Sequence, residues 1–213
     1  MDDRIAEGEA KQREARGENG DLARLYERVA FEEVHHQVLH LFPTEPARVL
    51  DIGAGTGRDA AAFAVRGHTV VAVEPARGLR TVGQRVHAGH SIVWVDDKLP
   101  ELSSLDQHER FQLIMLTAVW MFLQEDQRRS AVSRLDELLE HGGRLGMVLR
   151  HGPVPADRPM LTVSAAETIS LVSDRGFRLI HQSQQADALR REGVIWDNLF
   201  FEKPPGTRRA DAM

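Results

Sequence analysis

The sequence VLDIGAGTGRDAAAFA, at residues 49–64, decides the fold. Val49–Ile52 have the apolar character of a buried strand, and three alternating glycines follow within Gly53–Gly57. A helix is then predicted to begin at Arg58. Glycine permits a positive φ and a close approach of backbone to ligand, and the first turn of a helix directs amide N–H groups at a bound group. The stretch therefore predicts a nucleotide-type cofactor at the carboxyl end of the first strand of an open α/β sheet.

The glycine spacing separates two classes of cofactor. The dinucleotide fingerprint G-x-G-x-x-G would need its third glycine at position 58, which is Arg58 here. Instead, Asp51 precedes the alternating glycines in the pattern D-x-G-x-G-x-G. This pattern resembles motif I of the class I S-adenosylmethionine-dependent methyltransferases. The resemblance implies that Asp51 lies near the methionine end of the cofactor and that the glycine backbone packs against it.

The next strand supports the same cofactor class. Residues 68–76 read HTVVAVEPA, in which Val70–Val73 form a continuous apolar run, as expected for a parallel strand covered on both faces. Glu74 ends the run, and its separation from Gly53 is 74 − 53 = 21 positions. An acidic residue about 20 positions beyond the first glycine can accept hydrogen bonds from ribose hydroxyls. The alternative for Glu74 is a solvated carboxylate at a strand end.

Two further segments extend the resemblance, which covers about residues 45–150. A third strand is predicted from Ser91, and an acidic residue after this strand often contacts the adenine amino group in the family. Asp96 is preferred for that contact, with Asp97 as the alternative. A fourth strand is predicted to end near Thr117, where motif IV of the family lies beside the methyl group and the acceptor.

Residues 1–42 are predicted to be a helical lead-in. Apolar residues recur at helical spacing up to Leu41, which indicates one or two amphipathic helices that end before Pro43. In the resembling family such a helix often covers the cofactor as a lid, and Tyr26 is the candidate contact from it. This segment contains three histidines, His35, His36 and His40. We interpret them as part of a solvated helix face and not as a metal site, because no third ligand or H-E-x-x-H motif is evident.

The resemblance implies S-adenosyl-L-methionine as the cofactor and S-adenosyl-L-homocysteine as the product, with no metal ion. The residues expected to contact the cofactor are Asp51, Gly53, Ala54, Gly55, Thr56, Gly57, Glu74, Pro75, Asp96, Asp97, Thr117 and Tyr26.

Residues 43–203 are predicted to form the methyltransferase domain, followed by a disordered tail at 204–213. Strands and helices alternate, which favours right-handed crossovers and a parallel sheet. A helix over 124–141 is expected to end at Gly142 and Gly143. The resemblance implies an α/β fold with a Rossmann-like, doubly wound seven-stranded sheet of order 3-2-1-4-5-7-6, the last strand antiparallel.

Composition excludes several functions. The chain of 213 residues carries a formal net charge of −5, which argues against non-specific binding to nucleic acid or to an anionic membrane. It contains no cysteine, so cytosine C5 methylation through a cysteine nucleophile, thiol-based arsenic methylation and iron–sulfur radical chemistry are excluded. No apolar run is long enough to span a bilayer and no signal peptide is evident, so a cytoplasmic location is expected.

The expected reaction is an in-line displacement that depends mainly on proximity, orientation and a dry site. A general base is required only if the acceptor must lose a proton, and His151 is the candidate, with a structural or solvated histidine as the alternative. Trp120 is expected to wall the acceptor pocket or to contact the methionine end. Arg150 and Arg158 are candidates to hold a carboxylate or phosphate of the substrate.

The preferred acceptor is oxygen or nitrogen of a small molecule. The sequence TAVWMF after the fourth strand lacks the acidic or Asn residue and the prolines of exocyclic-amine DNA methyltransferases. A protein or RNA methyltransferase is the runner-up, and a cofactor-binding regulatory module without transferase activity is an alternative of another class. A nicotinamide oxidoreductase is disfavoured by Arg58 and by the two final strands.

Overall fold

The computed structural model describes residue 20 and residues 23–154 and 159–206. Its centre is one seven-stranded sheet of order β3-β2-β1-β4-β5-β7-β6. The strands are β1 Arg48–Ile52, β2 Thr69–Val73, β3 Ile92–Val95, β4 Phe111–Thr117, β5 Leu139–His151, β6 Arg178–Ala186 and β7 Ile195–Glu202. Strands β1 to β5 pair in parallel, whereas β7 runs antiparallel to both β5 and β6. The predicted fold class and strand order are confirmed.

Helices cover the two faces of this sheet. They are α1 Phe31–His35, α2 Arg58–Val65, α3 Arg77–Val86, α4 Glu125–Leu138 and α5 Ala165–Asp174, with 3₁₀ turns at Leu39–Leu41 and Trp120–Phe122. Residues 23–27 are also helical, and they precede α1 and the 3₁₀ turn at Leu39–Leu41 within the described part of the predicted N-terminal helical region. None of the helices in the described part of the chain combines the length and apolar character needed to span a bilayer.

The continuous apolar run in β2 follows from burial on both faces. Val71 and Val73 pack into the core cluster that contains α4, α5 and Leu50. Val70 and Ala72 point to the opposite cluster, which contains aromatic residues of α1 and α2. Since side chains alternate along a strand, a parallel strand covered on both sides needs apolar residues at every position.

The boundary between α4 and β5 differs from the sequence prediction. Leu139 has an extended backbone, with φ −85° and ψ 132°, and pairs with Phe111 of β4. The pairing register then shifts, and Gly142 adopts φ 79° while its amide donates to Lys203 O at 2.8 Å. Gly142 and Gly143 therefore lie within β5, where they form an irregular bend, and the prediction that they end the helix was wrong.

Helix α5 begins after a serine that caps its N-terminus. Ser164 is the N-cap, and its Oγ accepts a hydrogen bond from the Glu167 amide at 3.4 Å. The Glu167 carboxylate accepts instead from Arg128 Nη1 at 3.3 Å, so the reciprocal half of a capping box is replaced by a link to α4.

Gly146 gives the fold a direct test. A Cβ atom at this position would lie 2.5 Å from Met115 Sδ and 2.6 Å from Phe200 Cζ, and both side chains are fully buried. We expect Gly146→Ala to lower the free energy of unfolding by about 1–3 kcal/mol, measured by urea denaturation. Gly89→Ala is the control, because no heavy atom lies within 4 Å of its added Cβ. Equal stability of the two variants would contradict the packing described for β5.

Candidate active site

A cavity of about 750 Å³ opens at the carboxyl ends of the parallel strands. One end is formed by Asp51–Thr56, the loop that follows β1, and by Thr117 at the end of β4. The N-terminal segment contributes Tyr26 and apolar side chains to the wall. This volume lies within the range of small-molecule and cofactor sites, about 300–1,000 Å³.

The glycine loop has a shape that only glycine provides without strain. Gly53 has φ 68°, and a Cβ atom there would lie 2.4 Å from Val119 Cγ2. Gly57 has φ 85°, and its Cβ would lie 2.6 Å from the Trp94 ring. Both the backbone angle and the close neighbours therefore require glycine, and the loop folds tightly between β4 and β3.

Glu74 fixes this loop to the end of β2. Its side chain is buried, Oε2 accepts from the Gly55 amide at 2.8 Å, and Oε1 accepts from the Ala76 amide at 2.7 Å. The adjacent Pro75 lines the cavity. The acidic residue that the spacing singled out is thus bonded directly to the glycine loop.

Arg80 connects the ends of β2 and β3. It donates to Glu74 O and to Asp96 Oδ2, both at 2.5 Å, and its side chain is only 12% exposed. Two acceptors from neighbouring strand ends therefore enclose its guanidinium. Asp97 accepts from the backbone amides of Lys98 and Ser104, at 2.7 and 2.6 Å. Neither Asp96 nor Asp97 lines the cavity, so their contact with adenine stays a prediction.

Asp59 links three parts of the site. Its Oδ2 lies 2.8 Å from His35 Nε2 and accepts from Thr117 Oγ1 at 2.9 Å, while Oδ1 accepts from Arg58 Nε at 2.7 Å. Burial acts to raise the pKa of Asp59, but Arg58 and His35 outweigh it and hold that pKa far below its usual range. Asp59 is therefore a carboxylate, and since a carboxylate only accepts, His35 carries a proton on Nε2. The prediction of a solvated face was wrong for His35, which is fully buried.

Asp51 is a buried acid with one oxygen that has no hydrogen-bond donor among the described residues. Burial and the nearby Asp59 carboxylate raise its pKa well above the ordinary value, although the Ala60 amide donates a hydrogen bond to it. Its Oδ2 is the unpartnered oxygen, and the residue lines the cavity. A cationic group of a ligand could donate a hydrogen bond to this oxygen, and its positive charge would offset the cost of burying the Asp51 carboxylate.

The N-terminal segment lies against the glycine loop. The Tyr26 ring would be 3.2 Å from a Cβ placed on Gly55, and Glu27 Oε1 accepts from Thr56 Oγ1 at 2.5 Å. Burial acts to raise the pKa of Glu27, but hydrogen bonds from His87 and Thr56 lower it, so the side chain stays ionised. This contact places Tyr26 at one side of the cavity, and its role in a lid stays a prediction.

The arrangement can be compared with known proteins at this point. The family model described as a methyltransferase domain matches residues 49–143, from β1 through the glycine loop and Glu74 into β5. This match supports the expected resemblance to the class I S-adenosylmethionine-dependent methyltransferases.

Individual relatives agree with this family. A protein of Bacillus cytotoxicus named an uncharacterized methyltransferase is 24% identical over 157 residues, which are 73% of this chain and 67% of that protein. The 1,6-didemethyltoxoflavin-N1-methyltransferase of Burkholderia thailandensis, solved with 1,6-didemethyltoxoflavin and S-adenosylhomocysteine, has a TM-score of 0.71 at 22% identity, covering 88% of this chain and 84% of that one. The N-methyltransferase NodS of Bradyrhizobium japonicum, in complex with S-adenosylhomocysteine, has a TM-score of 0.63 at 18% identity, covering 81% and 87%. These two structures share the fold of this methyltransferase.

The structure corrects the expected place of Trp120 in this methyltransferase. Its indole is buried in the core cluster and does not border the cavity, because the 3₁₀ turn directs it inward. Val119 and Phe122 border the cavity instead. Residue type favoured Trp120, but the direction of a side chain within a short turn could not be read from the sequence.

His151 also lies apart from the larger cavity. It borders a separate cavity of about 160 Å³, and its Nε2 is 2.8 Å from Asp197 Oδ2. Arg150 borders both cavities. Arg158 lies outside the described residues. Of the candidates for substrate contact, the structure therefore brings Arg150, and not His151, to the larger cavity.

The far end of the cavity contains residues that sequence reasoning gave no role. Asp187 and Arg191 lie in the loop between β6 and β7, and Trp196 is the second residue of β7. Nothing in the local sequence marks this loop as functional. The signal is topological, since the order β5-β7-β6 carries the loop to the same edge as the end of β5.

Asp51 provides a test of the site's electrostatics. Its raised pKa means that ionised Asp51 destabilises the folded state, a cost that grows as pH rises from the unfolded value of about 4. We expect Asp51→Asn to raise the melting temperature of the unliganded methyltransferase at pH 8, by about 2–4 °C per kcal/mol relieved. Below pH 4 the difference should vanish, because Asp51 is then protonated in both states.

Asp174→Asn is the matched control, since Asp174 is exposed at the end of α5. A melting temperature of Asp51→Asn that is equal to or below that of the wild type at pH 8 would contradict an unfavourable buried charge at Asp51.

Proposed function

We propose that this methyltransferase binds S-adenosyl-L-methionine at the glycine-loop end of the cavity and transfers its methyl group to nitrogen or oxygen of a small-molecule acceptor. One observation carries the proposal. A single cavity joins the loop held by Glu74, with the unpartnered Asp51 Oδ2, to a far end lined both by apolar side chains and by charged ones from the end of β5 and the β6–β7 loop.

The residues at the glycine loop fit this cofactor. Its ammonium group suits Asp51 Oδ2, and its carboxylate suits the Arg58 guanidinium, which also lines the cavity. Glu74 would accept hydrogen bonds from the ribose hydroxyls, and the ring of Tyr26 would cover the bound cofactor. The group supplies a sulfonium-bound methyl that is already activated for displacement.

The protein's part in the reaction is to orient and to exclude water. Tyr26 and the apolar residues of the N-terminal segment close one side of the cavity, and Val119 and Phe122 line the wall beyond β4. Holding donor and acceptor in line removes most of the entropic part of the barrier, and a dry site avoids hydration of the attacking atom. Since His151 lies outside the larger cavity, the proposal does not depend on a general base.

A small molecule suits the acceptor end better than a macromolecule. The 1,6-didemethyltoxoflavin-N1-methyltransferase shares the fold, and its structure holds 1,6-didemethyltoxoflavin beside S-adenosylhomocysteine. The formal net charge of −5 argues against RNA. We further propose that residues 1–42 act as the lid, 43–203 as the methyltransferase domain and 204–213 as a tail.

Calorimetry with S-adenosylhomocysteine tests the cofactor assignment. We expect the wild type to bind and Glu74→Ala to bind about tenfold or more weakly, because the variant loses one charge-assisted acceptor. Glu45→Ala, at an exposed position before β1, is the control and should bind as the wild type does.

Absence of binding by the wild type at near-millimolar ligand would contradict the proposal. Binding of NADH in its place would favour the oxidoreductase alternative. Binding of S-adenosylhomocysteine with no methyl transfer to any small molecule, protein or RNA would favour a regulatory module.

A further inference from the structure

We infer that the acceptor contains a flat, neutral aromatic ring that stacks on the indole of Trp196 and donates an N–H to Gln185 Oε1. The inference rests on the proposed function, because it names the substrate class for the far end of the same cavity. It depends on how Trp196 is fixed, on the side of the sheet to which it points and on the unpartnered oxygen of Gln185.

Trp196 is fixed at one edge and on one face. Its Nε1 donates to Asp187 Oδ1 at 2.9 Å, and the guanidinium carbon of Arg191 lies over the ring, 5.9 Å from its centre. Within residues 23–154 and 159–206, no other cation or aromatic ring contacts this indole. Trp196 is half-buried and borders the cavity. The remaining ring surface is therefore a rigid aromatic face for a ligand, and aromatic rings pack on such a face in an offset stack.

The wall beside the Trp196 ring has no net formal charge. Arg191 donates to Asp187 through Nε at 3.0 Å and Nη2 at 2.6 Å. Burial acts to raise the pKa of Asp187, but hydrogen bonds from Arg191 and Trp196 lower it to about 2, so Asp187 is ionised at neutral pH. Because this ion pair is satisfied internally, it offers a ligand no countercharge. A neutral ring suits this wall better than an ion, which would lose hydration without a partner here.

Trp196 points to the side of the sheet that the N-terminal segment covers. Trp196 and Phe200 are four residues apart on β7, so their side chains lie on the same side of the strand. The Phe200 ring is 5.8 Å from the ring of Phe42 in the N-terminal segment. Val29 and Val34 of this segment border the same cavity as Trp196. The far end of the cavity is therefore a gap between the indole and apolar side chains, which suits a flat ring.

Gln185 connects the two sides of this gap. It pairs with Trp196 in the register of β6 and β7, and its Nε2 donates to Val34 O at 2.7 Å. Because a carbonyl oxygen only accepts, this contact identifies the amide nitrogen and leaves Oε1 as the other end. Oε1 is buried and has no hydrogen-bond donor among the described residues, and Gln185 borders the cavity. A buried acceptor without a donor is unfavourable, so an N–H of a ligand would be stabilised here.

This subsite holds a part of the acceptor that is distant from the methylated atom. Trp196 is on β7, two strands from β4 in the sheet, whereas the methyl group is expected near Thr117 at the end of β4. Neighbouring strands are about 4.8 Å apart, so two spacings are about 10 Å. The stacked ring is thus a recognition group, and a fragment that does not reach the methyl group is sufficient to probe it.

An NMR titration of the protein saturated with S-adenosylhomocysteine tests the inference. The probes are three neutral amides: benzamide, cyclohexanecarboxamide, which lacks the flat ring, and N,N-dimethylbenzamide, which lacks the N–H. The chain has three tryptophans, so indole labelling with nitrogen-15 gives three signals, and Trp196→Phe identifies the signal of Trp196. We expect benzamide to shift that signal and to bind with a dissociation constant of about 10 mM or tighter, and the other two amides to bind about fivefold or more weakly.

Variants assign the two preferences. Trp196→Leu should abolish the preference for benzamide over cyclohexanecarboxamide, while Trp196→Phe should retain part of it. Gln185→Met should abolish the preference for benzamide over N,N-dimethylbenzamide, because the variant lacks Oε1. Gln182→Met, at an exposed position of β6, is the control and should behave as the wild type does. If Trp196→Leu or Gln185→Met does not fold, the comparison of the three amides at the Trp196 signal of the wild type carries the test.

Several outcomes would overturn the inference. They are an unchanged Trp196 signal in the presence of benzamide, equal binding of benzamide and either of the other amides, and unchanged preferences in the folded variants of Trp196 and Gln185. Failure of the wild type to bind S-adenosylhomocysteine in the first place would instead overturn the proposed function, so the two failures are distinguishable.

Discussion

The site depends on the buried carboxylate of Asp59. His35 from α1, Arg58 from α2 and Thr117 from β4 all reach this one group, within 2.7–2.9 Å. It therefore joins the N-terminal segment, the helix after the glycine loop and the end of the central strand. A buried charge is tolerated only when it is well paired, so loss of one partner would leave a costly carboxylate in the interior. Burial and this same charge raise the pKa of the neighbouring Asp51, which leaves Asp51 suited to a cationic ligand.

Much of the fold could be predicted because local sequence and global topology agree. The alternating glycines, the apolar run of β2 and the capping serine Ser164 each specify backbone geometry within a few residues. Gly142 was misread because a glycine that ends a helix and one that bends a strand give the same local signal. The difference lay in the pairing of Leu139 with Phe111 and in the bond from Gly142 to Lys203, which join distant parts of the chain.

The residues at the acceptor end were harder to predict from the sequence because distant parts of the chain contribute them. The glycine loop of the cofactor end lies within one continuous stretch of sequence, whereas Arg150 and Asp187 line the same cavity because β7 inserts between β5 and β6. The direction of the Trp120 side chain could not be predicted from the sequence either. It depends on the geometry of one 3₁₀ turn, which directs Trp120 to the core while Val119 borders the cavity. The burial of His35 could not be predicted from the local sequence, because it depends on a contact with Asp59, 24 positions away.

A crystal structure with S-adenosylhomocysteine would test the central claim most directly, namely that Asp51 and Glu74 hold opposite ends of one cofactor. The account predicts the homocysteine amino group within about 3 Å of Asp51 Oδ2 and a ribose hydroxyl within about 3 Å of a Glu74 carboxylate oxygen. A ligand bound elsewhere, or bound here with Asp51 Oδ2 still unpartnered, would contradict it.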